Sequence, residues 1–167
     1  ASHMSTLCID IETYSDADLK LGVLNYVASH NFRVFLLAYA FDSEPVEVVD
    51  LARGESIPEL VVEALYDMNI TKTAFNANFE ITCLRKLFPD LPDGSWECDS
   101  VLALYHALPT SLDAVGKALG LPQDKMKDAR GKRLITYFCT PCRPPKKTRG
   151  RPRNLPDDAP DAWASFK

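Results

Sequence analysis

Strand-like and helix-like segments follow one another in this chain in an order that few folds accommodate. Residues 5–12 (STLCIDIE), 33–42 (RVFLLAYAFD) and 45–51 (PVEVVDL) are runs of strand length, rich in β-branched and aromatic residues. One short helical stretch, 19–29, separates the first two, and DSEP makes a hairpin turn before the third. Helix and strand patterns then alternate: a helix over 56–67, a strand over 70–75, a helix over 77–88, a short strand at 96–98. Helices follow at 99–108, 111–120 and 125–139, the last with a weak point at Gly131, and 161–167 reads as the start of another. Ser56 and Ser111 are placed as N-caps, and Gly120 with Pro122 stops the helix that Ser111 opens. Strands in meander order, then helix and strand in alternation, predict an α/β fold: a mixed sheet of five strands flanked by helices.

The 167 residues suit one domain, and 46% hydrophobic residues with 25% charged is an ordinary globular balance. No apolar run approaches the roughly 20 residues of a membrane span, which argues against a membrane partner. Nothing near the start resembles a signal peptide. Ala1-Ser2-His3 ahead of Met4 reads as the remnant of an expression tag, so the domain is placed at 4–167. Five irregularly spaced cysteines then read as reduced thiols, and the expected location is the cytoplasm.

The net charge of −4 conceals an asymmetry. Residues 1–124 are strongly acidic, whereas residues 125–167 hold twelve Lys or Arg against four Asp or Glu. Such a tail suits an anionic partner, and such a body suits a cation somewhere on it. The body's first strand, LCIDIETYS, sets Asp10 and Glu12 two residues apart. Residues i and i+2 of a strand share a face, so the two carboxylates project together while Ile9 and Ile11 face the other way. Adjacent carboxylates in a partly buried place repel, and one takes a proton unless a cation lies between them. A hard divalent ion, Mg²⁺ or Mn²⁺, is the simplest such cation. The alternative is that both acids lie at an exposed strand end and are solvated. Glu80, in AFNANFE (74–80), sits in the first turn of the next helix, where it could reach the same cation or simply favour the helix dipole.

Three segments together, DIET (10–13), FNANFE (75–80) and SLDAVGKALGLP (111–122), resemble the DEDD superfamily of 3′–5′ exonucleases. The similarity is greatest to the proofreading domain of phage-type family A DNA polymerases, and it extends through YFCTPCRPPKKTRGRPRNLP to cover nearly the whole chain. DIE alone is a weak signal; the three motifs in this order are a strong one. The resemblance implies the ribonuclease-H-like fold and hydrolysis of single-stranded DNA from its 3′ end by a two-metal-ion mechanism. Asp10, Glu12 and Glu80 match the metal-binding catalytic acids, with Glu80 where most of the superfamily has Asp. Asn76 and Thr13 match residues that line the pocket of the terminal nucleotide. The implied partners are a DNA 3′ end and a polymerase domain on the same longer chain, in the host cytoplasm if phage-encoded.

One departure matters. The family has a fourth acid in a third motif, Tyr or His, three residues, then Asp, on the last helix; the sequence stops at Lys167 ahead of it. Tyr14 and Asp18 have that spacing but follow the first motif. These 167 residues are therefore expected to be weak or inactive alone. A second possibility is a non-catalytic nucleic-acid-binding module of the same fold, and a third a ribonuclease-H-like endonuclease.

Residues 140–160 are too proline-rich for regular structure, and Lys146, Lys147, Arg149, Arg151 and Arg153 alternate there with Pro, Thr and Gly. A flexible cationic arm of this kind suits contact with DNA phosphates, without base readout. Cys139-x2-Cys142 has no partner pair at zinc-ligand spacing, so a zinc site is disfavoured.

Overall fold

The computed structural model describes residues 4–109, 111–122, 129–141 and 154–167. Its strands are β1 (Thr6–Tyr14), β2 (Arg33–Phe41), β3 (Glu47–Asp50), β4 (Thr71–Ala74) and β5 (Trp96–Cys98). Its helices are α1 (Val23–Ala28), α2 (Glu59–Tyr66), α3 (Ala77–Leu84), α4 (Asp99–Tyr105), α5 (Leu112–Ala118), α6 (Ala129–Cys139) and α7 (Pro160–Phe166). The strands form one mixed sheet in the order β3-β2-β1-β4-β5, the α/β architecture that the segment order predicts.

β1 is the central strand, and its burial alternates. Leu7, Ile9, Ile11 and Thr13 are buried on one face; Cys8 and Asp10 are exposed on the other, with Glu12 half-buried and Tyr14 fully enclosed. β1 pairs with β4 in parallel, Thr6 opposite Thr71 and Cys8 opposite Thr73. β4 pairs with β5 in parallel, Lys72 opposite Trp96 and Ala74 opposite Cys98. Parallel neighbours need crossovers, which α2 and α3 provide.

The chain divides into two compact units, Ala1–Asp10, Tyr39–Val46 and Glu59–Asp128 in one, Ile11–Ala38, Glu47–Pro58 and Ala129–Lys167 in the other. In the first, Val61, Leu65, Cys83 and Leu84 are sealed from solvent on α2 and α3. Lys72 of β4 is fully buried with them, its ammonium donating to the Asp67 carbonyl at 2.7 Å, and burial holds its pKa below the ordinary lysine value. In the second unit an aromatic cluster of Tyr14, Phe35, Phe138 and Trp163 forms the core, with Leu36 and Cys139. Phe138 and Trp163 meet edge to face with ring centroids 4.8 Å apart, and Phe35 meets Trp163 at 5.9 Å. Each such side chain contributes on the order of 1.5–3 kcal/mol by leaving water.

Three sequence expectations change, the first being the N-cap at Ser56: α2 begins only at Glu59, three residues further on. The helix expected over 19–29 is a 3-10 turn at Leu19–Leu21 followed by α1, because Gly22 between them has φ 103° and donates its N–H back to the Leu19 carbonyl. A residue in that conformation cannot continue a right-handed helix. Within the stretch thought too proline-rich for structure, Pro156–Asp158 forms a 3-10 turn, closed by a hydrogen bond from the Leu155 N–H to the Asp158 carboxylate at 2.6 Å. The cap at Ser111 is as expected: its hydroxyl accepts from the Ala114 N–H at 3.2 Å.

Candidate nuclease site

The alternation along β1 puts Asp10 and Glu12 on one face, as the i, i+2 spacing requires. Asp10 is exposed and Glu12 half-buried. In the first unit, β1 and β4 run in parallel as far as Cys8 and Thr73, so the next two residues of each strand bring Asp10 and Phe75 to the same end of the sheet. Asn76 follows at once as the residue before α3, and Asp99 follows β5 at the same end. Carboxyl ends of parallel strands are where α/β sheets hold their ligands.

α3 begins with the Phe79 N–H on the Asn76 carbonyl at 2.9 Å and the Glu80 N–H on the same oxygen at 3.4 Å. Asn76 itself is exposed and its side chain makes no capping bond. Glu80 is 5% exposed, with Oε2 sealed from solvent. Its charge is felt one turn on at Cys83, whose thiol is pushed up to about 12, by burial first and by Glu80 second. In the second unit Glu12 acts likewise on Cys139. That thiol is raised to about 12, by burial first and then by Glu12, against a hydrogen bond from the Thr13 backbone.

Thr13 lies on the opposite face from Asp10 and Glu12. It is buried, and its hydroxyl is 2.9 Å from the Tyr26 hydroxyl. Sequence reasoning passed over Asp99, which is half-buried and has its pKa raised, by burial first and by Glu97 second. The signal available was its position directly after a predicted strand. The five basic residues Lys146, Lys147, Arg149, Arg151 and Arg153, and Cys142 of the cysteine pair, lie outside the described residues.

Carboxylate oxygens are the ligands that hard divalent ions prefer, so the donor chemistry of Asp10, Glu12 and Glu80 suits Mg²⁺ or Mn²⁺. Among the described residues, no three His, Cys, Asp or Glu side chains gather into a group that could hold a metal ion.

No family model matches the chain. A DNA polymerase of Bacillus phage SP02 is 48% identical to it over 166 residues, which is 98% of the chain and 25% of the polymerase. The chain is a homologue of one segment of a phage DNA polymerase. It spans about a quarter of the length of that relative. Among solved structures, Brucella melitensis NrnC bound to pGG aligns with a TM-score of 0.55 at 18% identity, over 75% of this chain and 56% of that one. NrnC with bound Mg²⁺ aligns with a TM-score of 0.55 at 19% identity, over 76% and 57%. At such identities the likeness is one of fold: the polymerase homologue has the ribonuclease-H-like fold expected from its resemblance to the DEDD exonucleases. No helix among the described residues is long and apolar enough to cross a membrane.

Proposed function

We propose that this chain is the 3′–5′ exonuclease domain of a phage-type DNA polymerase, with Asp10, Glu12 and Glu80 as three of its four acids and Mg²⁺ or Mn²⁺ as its cofactor. The observation that carries the reading is the shared face of Asp10 and Glu12 on the central strand, just past the register it shares with β4. The 48% identity to a phage polymerase and the fold shared with a structure that holds Mg²⁺ support it. Bound metal would supply charge neutralisation and an activated water. The protein's own part is to hold two carboxylate groups side by side on a rigid strand, with Asn76 presented at the same end of the sheet for the terminal nucleotide. The substrate is single-stranded DNA with a free 3′ end, and the polymerase domain of the longer chain is the partner that would deliver it. The host cytoplasm is the corresponding location.

A 5′-labelled oligodeoxynucleotide incubated with the protein and Mg²⁺ or Mn²⁺ tests this. The expected products are shortened from the 3′ end. A circular or 3′-blocked strand should resist. Complete inertness in both metals would sink the catalytic reading.

A second reading has its own observation. The lack of an assembled carboxylate group among the described residues favours a non-catalytic module of the same fold that binds nucleic acid. The same assay separates the two, since a module binds the strand without shortening it.

A further inference from the structure

The second unit carries a groove that the carboxylates do not use. It has a volume of about 420 Å³ and is lined by Arg130, Arg133, Leu134 and Tyr137 of α6 with Ala159 and Ala162 beside and on α7. Positions 130, 133, 134 and 137 are one, one and two turns apart on a single face of α6. The lining holds two guanidinium groups and no carboxylate. Lys132 adds a third exposed cation within four residues.

The groove is built on a fixed floor. Phe138 and Cys139 of α6 are buried in the aromatic cluster with Trp163 of α7, and Leu134 and Ala162 pack against the same cluster. Arg130 is held across the two helices by its guanidinium, which donates to the Ser165 hydroxyl at 3.4 Å. The Tyr137 ring stands perpendicular to Phe138 with centroids 4.8 Å apart, which fixes the plane of a ring still 38% exposed. Alanine at 159 and 162 keeps the opposite wall low, so an object as wide as a nucleobase can reach the tyrosine.

We propose that the groove between α6 and α7 is a binding site for the backbone of single-stranded nucleic acid, with Arg130 and Arg133 on successive phosphates and Tyr137 as a stacking platform for one base. Phosphodiesters match both the charge and the planar fork of arginine. Cations beside one exposed aromatic ring form the pattern by which single strands are held without sequence readout. In a chain of net charge −4, Arg130, Lys132 and Arg133 put three exposed cations within four residues at this groove, where an anionic strand can dock. The site rests on the nuclease reading for the class of strand it takes, yet it needs no metal.

The test is fluorescence anisotropy of a labelled oligothymidylate, in EDTA, over a series of salt concentrations. Arg133→Gln and Arg130→Gln/Arg133→Gln should weaken binding in steps and lower the slope of log affinity against log salt by about 0.7 per phosphate lost. Tyr137→Leu should cost about tenfold in affinity with the salt slope unchanged. Arg133→Lys should keep most of the affinity, which separates lost charge from lost folding. Unchanged affinity and slope in the double variant, or no binding by the parent protein at low salt, would overturn the proposal. If the arginine variants lose binding while the parent protein never shortens a strand in Mg²⁺, the groove stands and the nuclease reading falls.

Discussion

Trp163 and Asp50, 113 residues apart in sequence, meet inside the second unit, where the indole N–H donates to Asp50 Oδ2 at 2.7 Å. Both are 1% exposed. Asp50 also accepts from the Arg53 N–H at 3.2 Å, and the Lys167 ammonium lies 3.4 Å from it, so a buried carboxylate is met from three sides. The contact fastens α7 onto the last residue of β3.

Trp163→Ala should cost about 3–5 kcal/mol, because it empties the centre of the aromatic cluster and strips the carboxylate of its donor. Trp163→Phe keeps most of the volume and should cost about 1–3 kcal/mol, chiefly for the buried acceptor left behind. Urea unfolding followed by circular dichroism measures both. A double-mutant cycle with Asp50→Ala should return a coupling of about 1 kcal/mol or more.

Removing Asp10 should leave the fold intact, since its side chain is exposed on the central strand. Asp10→Ala, and Glu12→Gln beside it, should lower any metal-dependent shortening of a single strand by about two orders of magnitude or more. Thermal unfolding should move little for Asp10→Ala. Gel analysis of labelled strands together with a melting curve checks both halves. A variant as active as the parent would remove Asp10 from the site.

The thiols should react unequally. Cys83 and Cys139 are buried with pKa values pushed up to about 12, whereas Cys8 is exposed. Burial works against ionisation of Cys98, but hydrogen bonds from the Ser100 hydroxyl and from backbone N–H groups outweigh it and lower that thiol's pKa. Ellman's reagent at pH 8 should modify Cys8 and Cys98 quickly, and Cys83 and Cys139 only on unfolding. The raised thiols also set a sign. Unfolding lets them ionise near the ordinary value of 9.0 while the native protein keeps them protonated, so stability should fall as pH rises from about 9 toward 12. Cys83→Ala and Cys139→Ala should each flatten that decline in urea titrations run across the range.

Asp42 closes the turn after β2 with φ 47°, a left-handed conformation that most side chains resist. Its carboxylate accepts from the Ser5 hydroxyl at 2.7 Å and the Thr6 N–H at 3.0 Å. Asp42→Ala loses both bonds and keeps the strained backbone, so it should cost about 2 kcal/mol. Asp42→Asn tolerates the conformation and retains an acceptor, so it should cost less than half as much. Asp42→Gly, which relieves the backbone but loses the bonds, should fall between them. Denaturation midpoints rank the three.

Local pattern determined a good deal. Period-two burial along 6–14 was written in Leu7, Ile9 and Ile11, and with it the common face of Asp10 and Glu12, because pleating leaves a strand no other choice. The cap at Ser111 and the short strand Trp96–Cys98 were equally local. Gly22 was visible as a residue but not as a break, because a glycine's φ is chosen by what the chain must do next. Long-range encounters were decided by tertiary structure alone. Nothing in the order of residues says that Trp163 finds Asp50, that the Thr13 hydroxyl is spent on Tyr26 on the face away from the two acids, or that Arg133 and Tyr137 line a groove closed by Ala162. The physical reason is the same in each case. A residue's neighbours along the chain fix its direction within an element, but burial, charge and hydrogen bonding are settled by segments dozens of residues away, and those meet only once the chain has folded.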